Sequence, residues 1–367
     1  MSSVERESGI PRRYLLVVQI LIVAFLAIYI AKDFNVDEFL QAVRAIDPED
    51  LLPIVLFEVL YYLSNSLAFW FLCRKEFRLR ISEAFGASMM SWLVDILLPS
   101  AFIEGDLARV LYLKTRSDWA PAISHALFFR FLISSTLVFF ILFTSLMALN
   151  ILYLFTSVAL LYFLAVLLGI ALSLGMWVVV FKPTAVGRRL IRVAGKFLRE
   201  STLRKLENDL GNFLAEVERS SQNFRPTNPD LLAAIAFLML QWVSGIMTPY
   251  YSLRAVGVNV NPIVIGPGYT ILTVFSLASI GVPFMVGSID SALVTLYILL
   301  GVPKERALAA AVLGRSITII ASLVMIYPVG IAYIRKTFST TNLEEVRETL
   351  RRISAEYSLR IPFISQS

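Results

Sequence analysis

Six apolar runs leave this chain few ways to fold. They cover residues 14–31, 51–72, 123–149, 151–181, 231–253 and 307–334. A helix needs about 20 apolar residues to cross a hydrocarbon core ~30 Å thick. Inside lipid every backbone N–H and C=O must find a partner within the chain, so such runs fold as helices. Composition points the same way: 57% of the 367 residues are hydrophobic and 16% are charged, against about 25% charged in a soluble domain. A soluble enzyme is thereby excluded. A single cysteine (Cys73) and a single histidine (His125) exclude a disulfide framework and a Cys/His zinc cluster. No cofactor or metal is expected. The net charge of +6 does not argue for nucleic acid, because basic loops are the usual topological mark of a membrane chain.

Orientation follows from Lys and Arg. Run 14–31 follows Arg12 and Arg13 without a clear small-x-small cleavage site, so a retained anchor helix is expected. Residues 32–50 hold two basic and six acidic residues and read as external. Residues 73–80 carry Arg74, Lys75, Arg78 and Arg80 against Glu76 alone, and residues 182–229 hold ten basic and five acidic residues. Both read as cytoplasmic, as does the tail 335–367 that opens with Arg335 and Lys336. Six crossings with both termini inside satisfy all of these assignments, for a multi-pass protein of the cell membrane.

Two further apolar regions, 84–113 and 262–300, are each interrupted by a proline and a polar cluster. By parity each must begin and end on one side of the membrane. Arms such as 84–98 and 284–300 are short for a crossing and suit re-entrant hairpins; eight ordinary crossings preserve the same parity. The expected fold is therefore an all-α polytopic membrane protein with six full crossings and two re-entrant helical hairpins. Two amphipathic stretches lie between the spans. Val36, Phe39, Leu40, Val43 and Ile46 share a helical face that suits the outer interface. The basic segment 182–229 reads as a cytoplasmic helix or helix pair, lying on anionic inner-leaflet lipid or packed on the cytoplasmic loops.

The breaks resemble one another. The first reads LLPSAFIEGDLARVLYL and the second GVPFMVGSIDSALVTLYILL. Aligning Pro99 with Pro283 superposes Asp106 on Asp290, and an Arg follows 24 residues later in one case (Arg130) and 25 in the other (Arg315). Parity places the two units in opposite orientations, so 51–149 and 230–334 are expected to be inverted repeats joined by the span 151–181. Transporters built this way bind substrate where broken helices expose backbone groups near the midplane. The candidate substrate-binding residues are Pro99, Glu104, Asp106, Arg109, Arg130, Pro283, Gly287, Asp290 and Arg315. Six of these are ionisable, and an Asp or Arg at the bilayer centre costs roughly 2.5–3.5 kcal/mol. They must be paired, hydrated or near the interface, either as ion pairs that lock helices or as a polar cavity for a charged head group. Glu58 and Asn65, seven apart on one helix, are weaker candidates for the same cavity. Asp95 is expected to cap or pair locally, and His125 to be structural or interfacial.

These residues resemble the transmembrane region of the lysylphosphatidylglycerol synthase/flippase family and its stand-alone relatives. The first motif is carried by Pro99, Gly105, Asp106, Arg109 and Arg130. The second is carried by Pro283, Gly287, Asp290, Gly301, Val302, Ala307, residues 309–311 and Arg315. Departures are the single Gly in SAFIEG and an Asp at 290 where Glu is usual. The resemblance implies movement of a polar-headed phospho- or glycolipid rather than its synthesis, since no aminoacyl-transferase domain is expected after 334. No phosphate loop of the GxxxxGK[ST] type occurs. A membrane glycosyltransferase using a polyprenyl-phosphate sugar, with Asp33, Asp37 and Glu38 as its acids, is the alternative, and a non-transporting accessory subunit is another. Oligomeric state is not legible.

Overall fold

The computed structural model describes residues 34–97, 103–148, 181–194, 213–221, 228–278 and 287–340, with isolated positions between 167 and 179 and at 211 and 224. Among these, all regular structure is helical. A short helix α1 (Val36–Arg44) precedes α2 (Pro48–Cys73), the paired α3 (Ile81–Leu97) and α4 (Ile103–Lys114), and α5 (Trp119–Met147). The second half repeats this order. After α6 (Pro183–Ala194) come α7 (Pro229–Ala255), the paired α8 (Ile265–Ala278) and α9 (Ser288–Leu299), and α10 (Lys304–Ala321), which runs through one π-turn into α11 (Tyr327–Thr340). Among the described residues four helices are long and apolar enough to cross a membrane: α2, α5, α7 and the joined α10–α11. They contain the apolar runs 51–72, 123–148 of 123–149, 231–253 and 307–334. Run 14–31 and most of run 151–181 lie outside the described residues.

Local chemistry sets the helix starts. Asn35 caps α1, its Oδ1 accepting from the N–H groups of Asp37 and Glu38 at 3.1 and 3.3 Å. Those acids then sit in the first turn and Arg44 in the last, where each opposes the helix dipole. Asn228 caps α7 in the same way, with Pro229 at its first position. The expected apolar face of α1 divides: Phe39 and Ile46 pack against the core, while Val36, Leu40 and Val43 are exposed.

α2 and α7 pack along their whole length and run antiparallel. Phe57 stacks on Tyr251, Asn65 bonds Gln241, Phe71 stacks on Phe237, and Arg74 pairs with Asp230. The first long helix of each half therefore points in the opposite direction to the other. Each broken region is an antiparallel helix pair. At the open end of the first, Glu83 pairs with Arg116; at its closed end, Gly105 N–H donates to Asp95 Oδ1 at 2.9 Å. Both pairs are centred on residues 99–100. In the second, Gly268 packs against Leu296, a pair centred on 282. Pro99 and Pro283 stand beside these centres in sequence, but both lie outside the described residues. Each pair also reaches across to the other half. α3 packs on α11, where Tyr333 OH donates to the Ser82 carbonyl, and α8 packs on α5, where Gly266 meets Thr144.

Of the basic segment, α6 and residues 213–221 are described in part. Thr184 hydrogen-bonds Glu218, and Ser124 of α5 donates to the Val217 carbonyl at 3.1 Å. This portion packs on α5.

Candidate functional site

Two charged clusters lie on the α2–α7 pair, at levels marked by Asn65–Gln241 and by Glu58–Thr248. Seven residues separate Asn65 from Glu58, about 10 Å along the helix axis.

The first cluster centres on Asp106. Its Oδ1 lies 2.8 Å from Arg109 Nη1 and its Oδ2 lies 3.5 Å from Arg130 Nε. Arg109 is buried, only 3% exposed, with its guanidinium carbon 5.0 and 5.8 Å from the ring centroids of Phe129 and Phe69. Such rings attract a desolvated cation through their negative faces. Arg109 Nη2 also reaches Asn65 Oδ1 at 3.5 Å, and Asn65 donates to Gln241 Oε1 at 3.0 Å. Behind Asp106, the Asp95 carboxylate crosses from the end of α3 to take an N–H at the start of α4. This satisfies one of the amides a helix start leaves without a partner. Gly105 makes that approach available, because a Cβ there would stand 2.2 Å from Asp95 Oδ2.

The second cluster forms where α9 begins. Gly287 adopts φ +84°, a conformation that disfavours side chains, and its N–H donates to Asp290 Oδ2 at 2.7 Å. An acid at the third helical position reaching back to the cap amide is one half of a capping box. The other oxygen, Oδ1, lies 3.3 Å from Arg315 Nε. Asp290 is therefore fixed by its own helix start and in turn orients Arg315 from α10.

Arg315 opens onto a cavity of about 310 Å³ enclosed by α2, α3, α7, α8, α9 and α10. Its polar wall carries Glu58, Asp95, Arg315, Thr248 and Thr318, and its aromatic wall Tyr61, Tyr62, Trp92 and Tyr269. Glu58 is 7% exposed and faces the hydroxyls of Tyr62, Thr318 and Thr248, with Arg315 acting on it electrostatically. A volume near 300 Å³ with convergent polar groups and apolar walls is at the small end of ligand sites.

Of the residues singled out from sequence, Asp106, Arg109 and Arg130 come together, and Gly287, Asp290 and Arg315 come together. The two sets do not share one cavity: only Arg315 is on the cavity wall. Pro99, Pro283 and the Glu104 side chain lie outside the described residues. Asp95 caps locally as expected, and it also lines the cavity while feeling the charges of Arg109, Asp106 and Arg130. It is thus the link between the clusters. Glu58 is on the cavity wall, and Asn65 is instead in the first cluster. His125 is structural, with Nδ1 3.0 Å from the Pro121 carbonyl and its ring edge-on to Phe77. Asp37 and Glu38, the acids of the glycosyltransferase reading, occupy the first turn of α1. Sequence reasoning missed Tyr61, Tyr62, Trp92, Thr248 and Thr318, since aromatics and hydroxyls inside an apolar run carry no spacing signal.

A family model described as the lysylphosphatidylglycerol synthase TM region matches residues 16–326. No curated protein and no solved structure matches the chain significantly.

Proposed function

Because this chain belongs to the lysylphosphatidylglycerol synthase transmembrane-region family and is an integral membrane protein, we propose that it moves a polar-headed lipid from one leaflet to the other. The head group passes between the two helix pairs while the acyl or isoprenoid chains stay in lipid. The observation that carries this reading is the cavity at the closed end of the first pair, where Arg315 stands among carboxylates and aromatic rings. Arg315 takes the phosphate, since a guanidinium fork binds phosphate oxygens two at a time. Asp290 holds the fork in place. Arg130, 29% exposed beside Asp106, receives the head group at the second level, with Arg109 positioning Asp106 from behind.

The antiparallel α2 and α7, and the exchange of α3 onto α11 and α8 onto α5, support an inverted repeat of 51–149 and 230–334. In that arrangement the helix pairs are re-entrant hairpins entering from opposite sides, with six full crossings around them. The basic segments 73–80, 182–229 and 335–367 face the cytoplasm of a cell membrane, next to anionic inner-leaflet lipid. Mass spectrometry of lipid retained by the purified protein tests the reading. A phosphate-bearing lipid should be held by the native chain and lost from Arg315→Gln. Equal retention by both would remove Arg315 from the site.

A further inference from the structure

Glu58 stands out among the described intramembrane acids because it forms no salt bridge with any cation among the described residues. Asp106 is held by Arg109 and Arg130, and Asp290 by Arg315. Asp95 is tied to an amide at a helix start. Glu58, 93% removed from solvent, faces the hydroxyls of Tyr62, Thr248 and Thr318 and feels the charge of Arg315, a cation already paired with Asp290. Around the two clusters the described ionisable side chains are four acids (Glu58, Asp95, Asp106 and Asp290) and three bases (Arg109, Arg130 and Arg315). Their formal sum is −1. An unbalanced negative charge at this depth is expensive, and a proton on one of the acids lowers it.

Binding changes that balance. A phosphate arriving at Arg315 brings at least one more negative charge to a wall that already carries Glu58 and Asp95. The groups facing Glu58 are Tyr61 and Tyr62 on its own helix, Thr248 of α7, Tyr269 of α8, Asp95 of α3, and Arg315 and Thr318 of α10. Arg315 alone among them is cationic, and it is the group the phosphate would take. Like charges in one site favour protonation of one of them.

We propose that Glu58 is a proton site coupled to the head group. An anionic head group engages Arg315, the Glu58 carboxylate takes one proton from water at the cavity mouth, and head group and proton cross together. The proton leaves when the phosphate leaves. No electron is transferred, and one O–H bond is made and broken per cycle. The equivalent place in the second half supports a dedicated role. The offset of 184 that superposes Asp106 on Asp290 carries Glu58 onto Trp242, a neutral side chain. The carboxylate is present on the cavity side alone.

The inference rests on the lipid-transport reading, and two measurements separate its failure from that of the parent reading. Infrared difference spectra of the purified protein between pH 5 and pH 9 should show a protonated carboxyl band that is absent from Glu58→Gln and retained, shifted, in Glu58→Asp. Adding glycerol 1-phosphate should move its titration to higher pH in the native chain. A spectrum in which Glu58→Gln removes no band, or in which the Glu58 band does not titrate, overturns the proton site whatever lipid the protein moves. The second measurement is transbilayer movement of acyl-labelled phosphatidylglycerol in phosphatidylethanolamine/phosphatidylglycerol vesicles. Once pH exceeds the titration point, the native rate should fall about tenfold per pH unit, while Glu58→Gln should be flat with pH. A native pH profile kept by Glu58→Gln overturns the coupling. Absence of movement in every variant, with the carboxyl band present, would sink the transport reading and with it the coupling, leaving a proton site alone.

Discussion

Asp106 and Asp290 each follow a proline by seven residues, yet their surroundings predict opposite responses to the same substitution. Asp106→Asn removes the anion between Arg109 and Arg130. Arg109 is 3% exposed, so its charge cannot turn to water. Breaking a buried pair by removing one partner costs roughly 3–5 kcal/mol. Unfolding entropy of about 2.1 cal/mol/K per residue gives a chain of this length roughly 0.8 kcal/mol/K, so the midpoint should drop by about 4–6 °C. Asp290→Asn differs. Its side chain is 33% exposed, its single ion pair spans 3.3 Å, and an Asn oxygen can still accept the Gly287 N–H. A pair 3.3 Å apart between side chains 17% and 33% exposed is weaker than the buried one, at about 1 kcal/mol, a midpoint shift of about 1 °C. Detergent-solubilised protein followed by size-exclusion fluorescence after a temperature series measures both. Asp106→Asn should lose folded yield, and Asp290→Asn should keep it while losing lipid movement. Equal midpoints for the two variants would refute the distinction between a locked cluster and an open one.

Gly105→Ala should destabilise the chain by about 2–3 kcal/mol, because the new methyl displaces the Asp95 carboxylate from a charge-assisted hydrogen bond. A double-mutant cycle with Asp95→Ala checks this, and the second substitution should recover most of the steric loss. For topology, Glu76→Cys should react with a membrane-impermeant thiol reagent only from the cytoplasmic side and Arg306→Cys only from outside, in a Cys73→Ala background. Both positions are exposed, and labelling of position 76 from outside would reverse the orientation. Shortening Asn65→Ala should weaken the first cluster by about 1 kcal/mol through Gln241, whose amide then loses its buried partner; thermal midpoint measures it.

The long helices were legible because uninterrupted apolar runs admit one solution in lipid. The breaks were legible as well. Polar residues and a proline mark them, and the hydrogen-bonded and packed pairs are centred within a residue of Pro99 and Pro283. The division of the charged residues was not. Asp106 and Asp290 align in sequence, but which cation each meets depends on how α4 packs on α5 and α9 on α10. Sequence spacing does not encode that the first cluster closes between Phe69 and Phe129 while the second opens on a cavity. Asp95 shows the same limit. Its cap across the break could be anticipated from its position near Pro99, whereas its place on the cavity wall follows from α3 packing on α11 and the π-turn before it. The aromatic wall was invisible for a simpler reason: Tyr61, Tyr62 and Trp92 read as ordinary members of apolar helices.

Transbilayer movement in reconstituted vesicles tests the central claim most directly. The lipid retained by the native protein, carrying an acyl-chain fluorophore, is placed in both leaflets, and loss of outer-leaflet signal to a membrane-impermeant quencher is followed with time. The native chain should expose the inner-leaflet pool at a rate well above protein-free vesicles, and Arg315→Gln, with unchanged folded yield, should not. Movement by Arg315→Gln at the native rate, or none by the native chain, would contradict the account.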